Sequence, residues 1–150
     1  MRWILGIDPG QNGGLVLRDP QGAIIACDKM PATERDLFDS LNEYMNMVVE
    51  YSTADTLFCY LEKVGARPMQ GAAGMWKFAE HYGNLRMALT ALLIPYELVL
   101  PNTWQKFFSC QTKGDKKVTY RKAQEMFPSI KTTHWNADAL LISEYGVKKK

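Results

Sequence analysis

The chain predicts an α/β fold. One domain spans residues 1–150 and holds a five-stranded mixed sheet, an antiparallel meander of strands 1–3 followed by strands 4 and 5, with helices on both faces. Three observations carry this. Three short apolar runs separated by tight turns open the chain. Helical and strand periods then alternate, α-β-α-β-α, to the end. Finally, 150 residues, 47% of them hydrophobic and 23% charged, suit one core and leave no room for two lobes around a cleft.

Each element has its own signal. RWILGID (2–8) reads as a buried strand, followed by a Gly-rich turn over 9–14. GLVLRD (14–19) is the second strand, DPQG (19–22) a β-turn and AIIACDK (23–29) the third strand. Thr33, with Asp36 three residues on, is the expected N-cap of a helix over about 34–51. Its Leu37, Leu41, Tyr44 and Val48 fall at helical spacing. TLFCYLEK (56–63) is the fourth strand and ends in a carboxylate.

The loop VGARPMQGAAG (64–74) then leads to a helix over about 75–93, with Phe78, Tyr82, Leu85, Leu89 and Leu92 as an apolar seam. Pro95 precedes the fifth strand, YELVL, and Thr103 is expected to cap a short helix through Phe108. CQTKGD is a polar loop before a basic helix over about 116–127, which stops at Pro128. The last helix reads from THWNADALLISEYG (133–146), with Gly146 as its C-cap.

Composition excludes several classes. No apolar run reaches the ~18 residues of a membrane span. The N-terminus enters a strand pattern at once and lacks a signal-peptide cleavage site. Cys27, Cys59 and Cys110, an odd number without CxxC spacing, point to reduced thiols in a cytoplasmic protein, the first two as plain core residues. The net charge of +2 hides an asymmetry: residues 1–62 carry 4 Lys/Arg against 10 Asp/Glu, and residues 63–150 carry 14 against 6. A polyanionic partner is therefore expected at the second half of the chain.

The last helix poses the sharpest question. Asp138 shares an inward stripe with Leu141, Ile142 and Tyr145, and His134 stands one turn before it. An unpaired buried charge costs several kcal/mol, so a cation should meet it. Asp8 and Glu62 each end a strand. If strands one and four are neighbours, all three carboxylates converge at one end of the sheet. Clustered carboxylates stay ionised only beside cations, and hard oxygen donors with open positions suit Mg²⁺ or Mn²⁺.

The segments GIDPGQNGG, YLEKV and HWNADALLISEYG, in that order and at those separations, resemble the RuvC-like Holliday-junction resolvases. These are RNase H-like nucleases of the retroviral-integrase superfamily, and the compact bacteriophage-type members are the best match. The resemblance implies an RNase H-like fold and a homodimer that binds four-way and related branched DNA and nicks two strands symmetrically with Mg²⁺, Mn²⁺ being able to substitute. It also implies a cytoplasmic protein, in the host cytoplasm if phage-encoded. Asp8, Glu62 and Asp138 match the family's acidic positions. His134 stands where the family usually has a further acidic residue, which makes it a fourth candidate ligand, or else a helix N-cap.

The chemistry fits those residues. Two cations roughly 4 Å apart would activate water, align the phosphate and stabilise the leaving oxygen. Asp8 would bridge them, Glu62 would hold one, and His134 and Asp138 the other. TKGDKKVTYRK supplies Lys113, Lys116, Lys117, Arg121 and Lys122 as phosphate contacts. GARPMQGAAG adds Arg67, Met69 and Gln70 beside the metal site as DNA contacts. Three other functions compete: an RNase H-like nuclease acting on structured RNA, a non-catalytic junction-binding protein, and an actin-like ATPase, which the length disfavours.

Overall fold

The computed structural model describes residues 1–65 and 71–149. Its sheet runs β3-β2-β1-β4-β5. β1 (Arg2–Asp8), β2 (Gly14–Arg18) and β3 (Ile24–Lys29) form the antiparallel meander. β4 (Thr56–Glu62) then lies parallel to β1, and β5 (Tyr96–Val99) lies parallel to β4. The meander closes as its turn chemistry dictates. The Gly22 amide donates to the Asp19 carbonyl at 3.0 Å, with Gly22 at φ +89°. The Asp19 carboxylate accepts from the amides of Gln21 and Ala23.

Strand alternation sorts the side chains into two cores. Trp3, Leu5 and Ile7 of β1, with Leu57, Cys59 and Leu61 of β4, pack against α1 (Glu34–Tyr51) and α2 (Ala72–Ala91). Ile4 and Tyr60 point the other way. They meet α3 (Pro101–Phe107), α4 (Lys117–Met126) and α5 (Ala137–Lys148). Asp8 and Glu62 share the parity of Ile4 and Tyr60, so the pleat delivers both carboxylates to the face that α5 covers.

Most elements lie where the sequence puts them. Thr33 caps α1 and accepts from the Asp36 amide at 3.1 Å. The three cysteines are free. Cys59 is buried in the core and Cys27 half-buried. No helix of the described residues is long and apolar enough to cross a membrane.

Three helices differ from expectation at their ends. α2 starts at Ala72, earlier than expected, and it also stops earlier, because Leu93 adopts a left-handed backbone (φ +55°) and Ile94 turns its amide back to the Leu89 carbonyl. Thr103 does not cap α3. Pro101 fits the first helical turn, where no amide is needed, so Leu100 is the N-cap and Thr103 lies inside the helix. Gly146 does not end α5, which runs on to Lys148. A Cβ at Gly146 would stand 2.5 Å from Tyr60 and 2.7 Å from Ile4, so that glycine serves close approach to the sheet. Gly6 does the same from β1, where a Cβ would lie 2.5 Å from the Ser143 amide nitrogen.

Candidate active site

The cleft lies at the end of the parallel pair β1 and β4. There the tight turn after Asp8, the end of β4, the start of α3, the polar loop before α4 and the start of α5 meet. Asp8, Glu62 and Asp138, from three separate elements, line one cleft of about 600 Å³. Gln11 and Asn12 of the turn, Phe78 of α2, Asn102 and Gln105 of α3, and Thr112 and Lys116 complete much of its wall. A second cleft of about 370 Å³ shares Asp8, Asn12, Lys116 and Asp138 and adds Lys29, Tyr120, His134 and Trp135. Asp8 and Asp138 thus border both spaces, and Glu62 only the first.

Each carboxylate has its own setting. Glu62 is 7% exposed. Its Oε2 accepts the Trp104 indole N–H at 2.9 Å. Asp138 sits in the first turn of α5, where the helix dipole favours a negative charge. Burial nevertheless pushes its pKa up from the ordinary 3.8, with the Thr119 hydroxyl and the Lys116 ammonium pulling it back down. Lys116 borders both clefts together with Asp138 and brings a positive charge to that part of the site. Gly10 makes the turn after Asp8 in a left-handed backbone (φ +104°) and lies against the Phe78 ring.

The other expected site residues are placed unevenly. His134 is not on α5, which starts at Ala137, so it has no helical spacing to Asp138. It is exposed in the preceding turn, its ring 5.5 Å from that of Tyr120, and lines the second cleft. Nor is it the N-cap, a position Asn136 takes while accepting the Thr133 amide at 2.7 Å. Of the five basic residues expected as phosphate contacts, Lys116 alone borders the clefts, and Lys29, which the sequence reading did not single out, lines the second. Lys113 is exposed in a left-handed loop conformation (φ +45°). Lys117 and Arg121 are exposed on α4. Lys122 pairs with Glu125 at 3.3 Å. Arg67, Met69 and Gln70 lie outside the described residues.

Several residues in or behind the cleft wall escaped the sequence reading. Gln11 and Asn12 carried a signal, since they lie in the turn that Asp8 opens. Phe78 sat in an apolar seam and reads as core, yet its ring, 6.5 Å from Tyr82 and nearly parallel to it, borders the cleft. Trp104 and Thr119 come from distant segments, and nothing local marks them.

The donor set has the chemistry of a hard divalent cation, since three carboxylates border one polar space. Among the described residues, no three His, Cys, Asp or Glu side chains stand close enough to hold an ion as placed. The cleft is an open donor set rather than a finished cage.

No family model matches the chain, and no curated protein sequence does. Solved structures do. Thermus thermophilus RuvC in complex with a Holliday junction substrate superposes with a TM-score of 0.60 at 14% identity, covering 95% of this chain and 90% of that one. A second Thermus thermophilus RuvC structure matches with a TM-score of 0.55 at 16% identity, over 94% and 90%. The chain has the RNase H-like fold of RuvC, as its three motifs imply.

Proposed function

We propose that the protein is a divalent-metal-dependent endonuclease that resolves four-way DNA junctions and related branched DNA by paired symmetric nicks. One observation carries the reading: Asp8, Glu62 and Asp138, remote in sequence, border a single cleft at the end of the parallel strand pair. The structural likeness to a RuvC bound to a Holliday junction supports the choice of substrate. Two symmetric nicks call for two sites, so the working unit is a homodimer, in the cytoplasm of its cell or, if phage-encoded, of the host.

Asp8, bordering both clefts, would bridge two ions; Glu62 would hold one, and Asp138 with His134 the other. Bound Mg²⁺, or Mn²⁺ in its place, would supply the activated water and the charge that stabilises the leaving oxygen. The chain's own residues do the rest. Lys116 brings a positive charge to the edge of both clefts, where a phosphate must lie to reach Asp8. The amides of Gln11, Asn12, Asn102 and Gln105 offer donors and acceptors to sugar and base edges along the wall. Lys113, Lys117, Arg121 and Lys122 extend the positive surface outward over α4, and Arg67, Met69 and Gln70 follow Glu62 in the chain as further DNA contacts.

The test is a substrate panel with Mg²⁺: a labelled four-way junction, a linear duplex of the same sequence and a structured RNA. Paired nicks confined to the junction and abolished by chelation are expected. Cleavage of the RNA in preference would move the protein to the structured-RNA nucleases, and binding without any nick would make it a junction-binding protein.

A further inference from the structure

Trp104 is 0% exposed, and its indole N–H reaches Glu62 across 42 residues of sequence. Indole has one donor and no acceptor, so a buried Trp that spends it on a carboxylate fixes that carboxylate's direction. The ring is itself fixed, packed in the same core as Val99, Phe108 and Tyr145. The identity of the donor matters. An Arg or Lys at this point would orient Glu62 but also neutralise it, whereas a neutral N–H orients it and leaves its charge for a cation.

We propose that Trp104 is the positioning residue for Glu62, holding the carboxylate in the orientation in which it lines the cleft and ligates a divalent ion. This rests on the metal-dependent reading above. Hydrogen bonds to ligating groups sharpen affinity by limiting the orientations a ligand samples, and their removal typically costs about 10–100-fold in metal affinity. The device also explains why a short helix with no side-chain cap places a large aromatic against the end of β4.

The experiment measures Mn²⁺ binding to the DNA-free protein by the loss of the free-ion spin-resonance signal. It compares wild type, Trp104→Phe and Phe108→Leu, the last perturbing the same core without touching Glu62. Trp104→Phe is expected to bind about 10–100-fold more weakly, with Phe108→Leu at the wild-type value. Raised Mg²⁺ should restore Trp104→Phe cleavage of a junction, a change in metal requirement with the maximal rate kept. Wild type that binds no Mn²⁺ would overturn the metal reading itself. Wild type that binds while Trp104→Phe binds equally well would overturn only the role of Trp104.

Should Trp104→Phe fail to fold, the wild-type protein still decides. The Trp104 indole N–H resonance, observed during a Mg²⁺ titration, is expected to shift along the binding curve. An indole signal that stays still while the ion binds would also overturn the role.

Discussion

Helices α1 and α5 cover opposite faces of one sheet and are built on opposite principles. α1 buries a single stripe, Leu37, Leu41, Tyr44 and Val48, and leaves its charges in water, with Arg35 and Asp39 paired at 84% and 52% exposure. α5 buries Ala137 and every residue from Ala139 to Gly146, because sheet, α3 and α4 surround it. Its polar groups cannot turn to solvent. Glu144 is paired with Arg18 at 2.8 Å, and Ser143 receives a second bond from the same guanidinium at 3.2 Å. Asp138 escapes full burial only because α5 begins at the cleft. A stripe helix needs only apolar spacing; a surrounded helix needs a named partner for each polar atom, and its one carboxylate at the cleft becomes available for chemistry.

That contrast can be broken in several places. The largest effect is expected from Arg18→Met, which strips Glu144 of its near-buried partner and leaves only Lys148 at 3.6 Å. Removing one member of such a pair costs about 3 kcal/mol or more, readable in urea unfolding. Arg35→Met, which breaks the exposed pair on α1, should leave the melting curve unchanged. Gly146→Val comes next. Its side chain must displace Tyr60 and Ile4, at about 1–3 kcal/mol, whereas Asn42→Val on the open side of α1 meets nothing comparable. Thr33→Ala removes the α1 cap for about 1 kcal/mol by thermal melt.

The smallest effect on stability, with the opposite sign, belongs to Asp138→Asn. Burial raises the native pKa of Asp138 above its ordinary 3.8, so the ionised form is held at a cost. The native state takes up the proton before the unfolded chain does. Wild-type stability from this group is therefore full below the ordinary value and is lost as pH rises through the raised one. At neutral pH Asp138→Asn should melt no lower than wild type while cleaving far less. Its advantage should shrink as pH falls towards 4. A variant that melts well below wild type at pH 7 would show that the carboxylate stabilises the fold.

The same contrast explains what the sequence made legible. The α1 boundaries and the meander follow from local signals, a cap, a turn and a period, whereas the pairing of β1 with β4 entered the sequence reading only as a condition and is supplied by the structure. Asp8 and Glu62 also follow from local signals, since strand parity decides the face they reach. α5 was harder. Gly146 looks like a terminator until Tyr60 and Ile4 are known to press on it. His134 looks helical until Asn136 is known to open the helix. The partnership of Arg18 with Glu144, and that of Trp104 with Glu62, join residues 126 and 42 positions apart, and no window along the chain contains both members.

Asp8 decides the central claim most directly, because it borders both clefts and ends the central strand of the sheet. Asp8→Asn and wild type would be compared on one labelled four-way junction, with cleavage followed in Mg²⁺ and binding followed in its absence. The account predicts that cleavage disappears while binding is unchanged or tighter, since a negative charge has been removed beside phosphate. Metal-dependent nicking that survives in Asp8→Asn would contradict it.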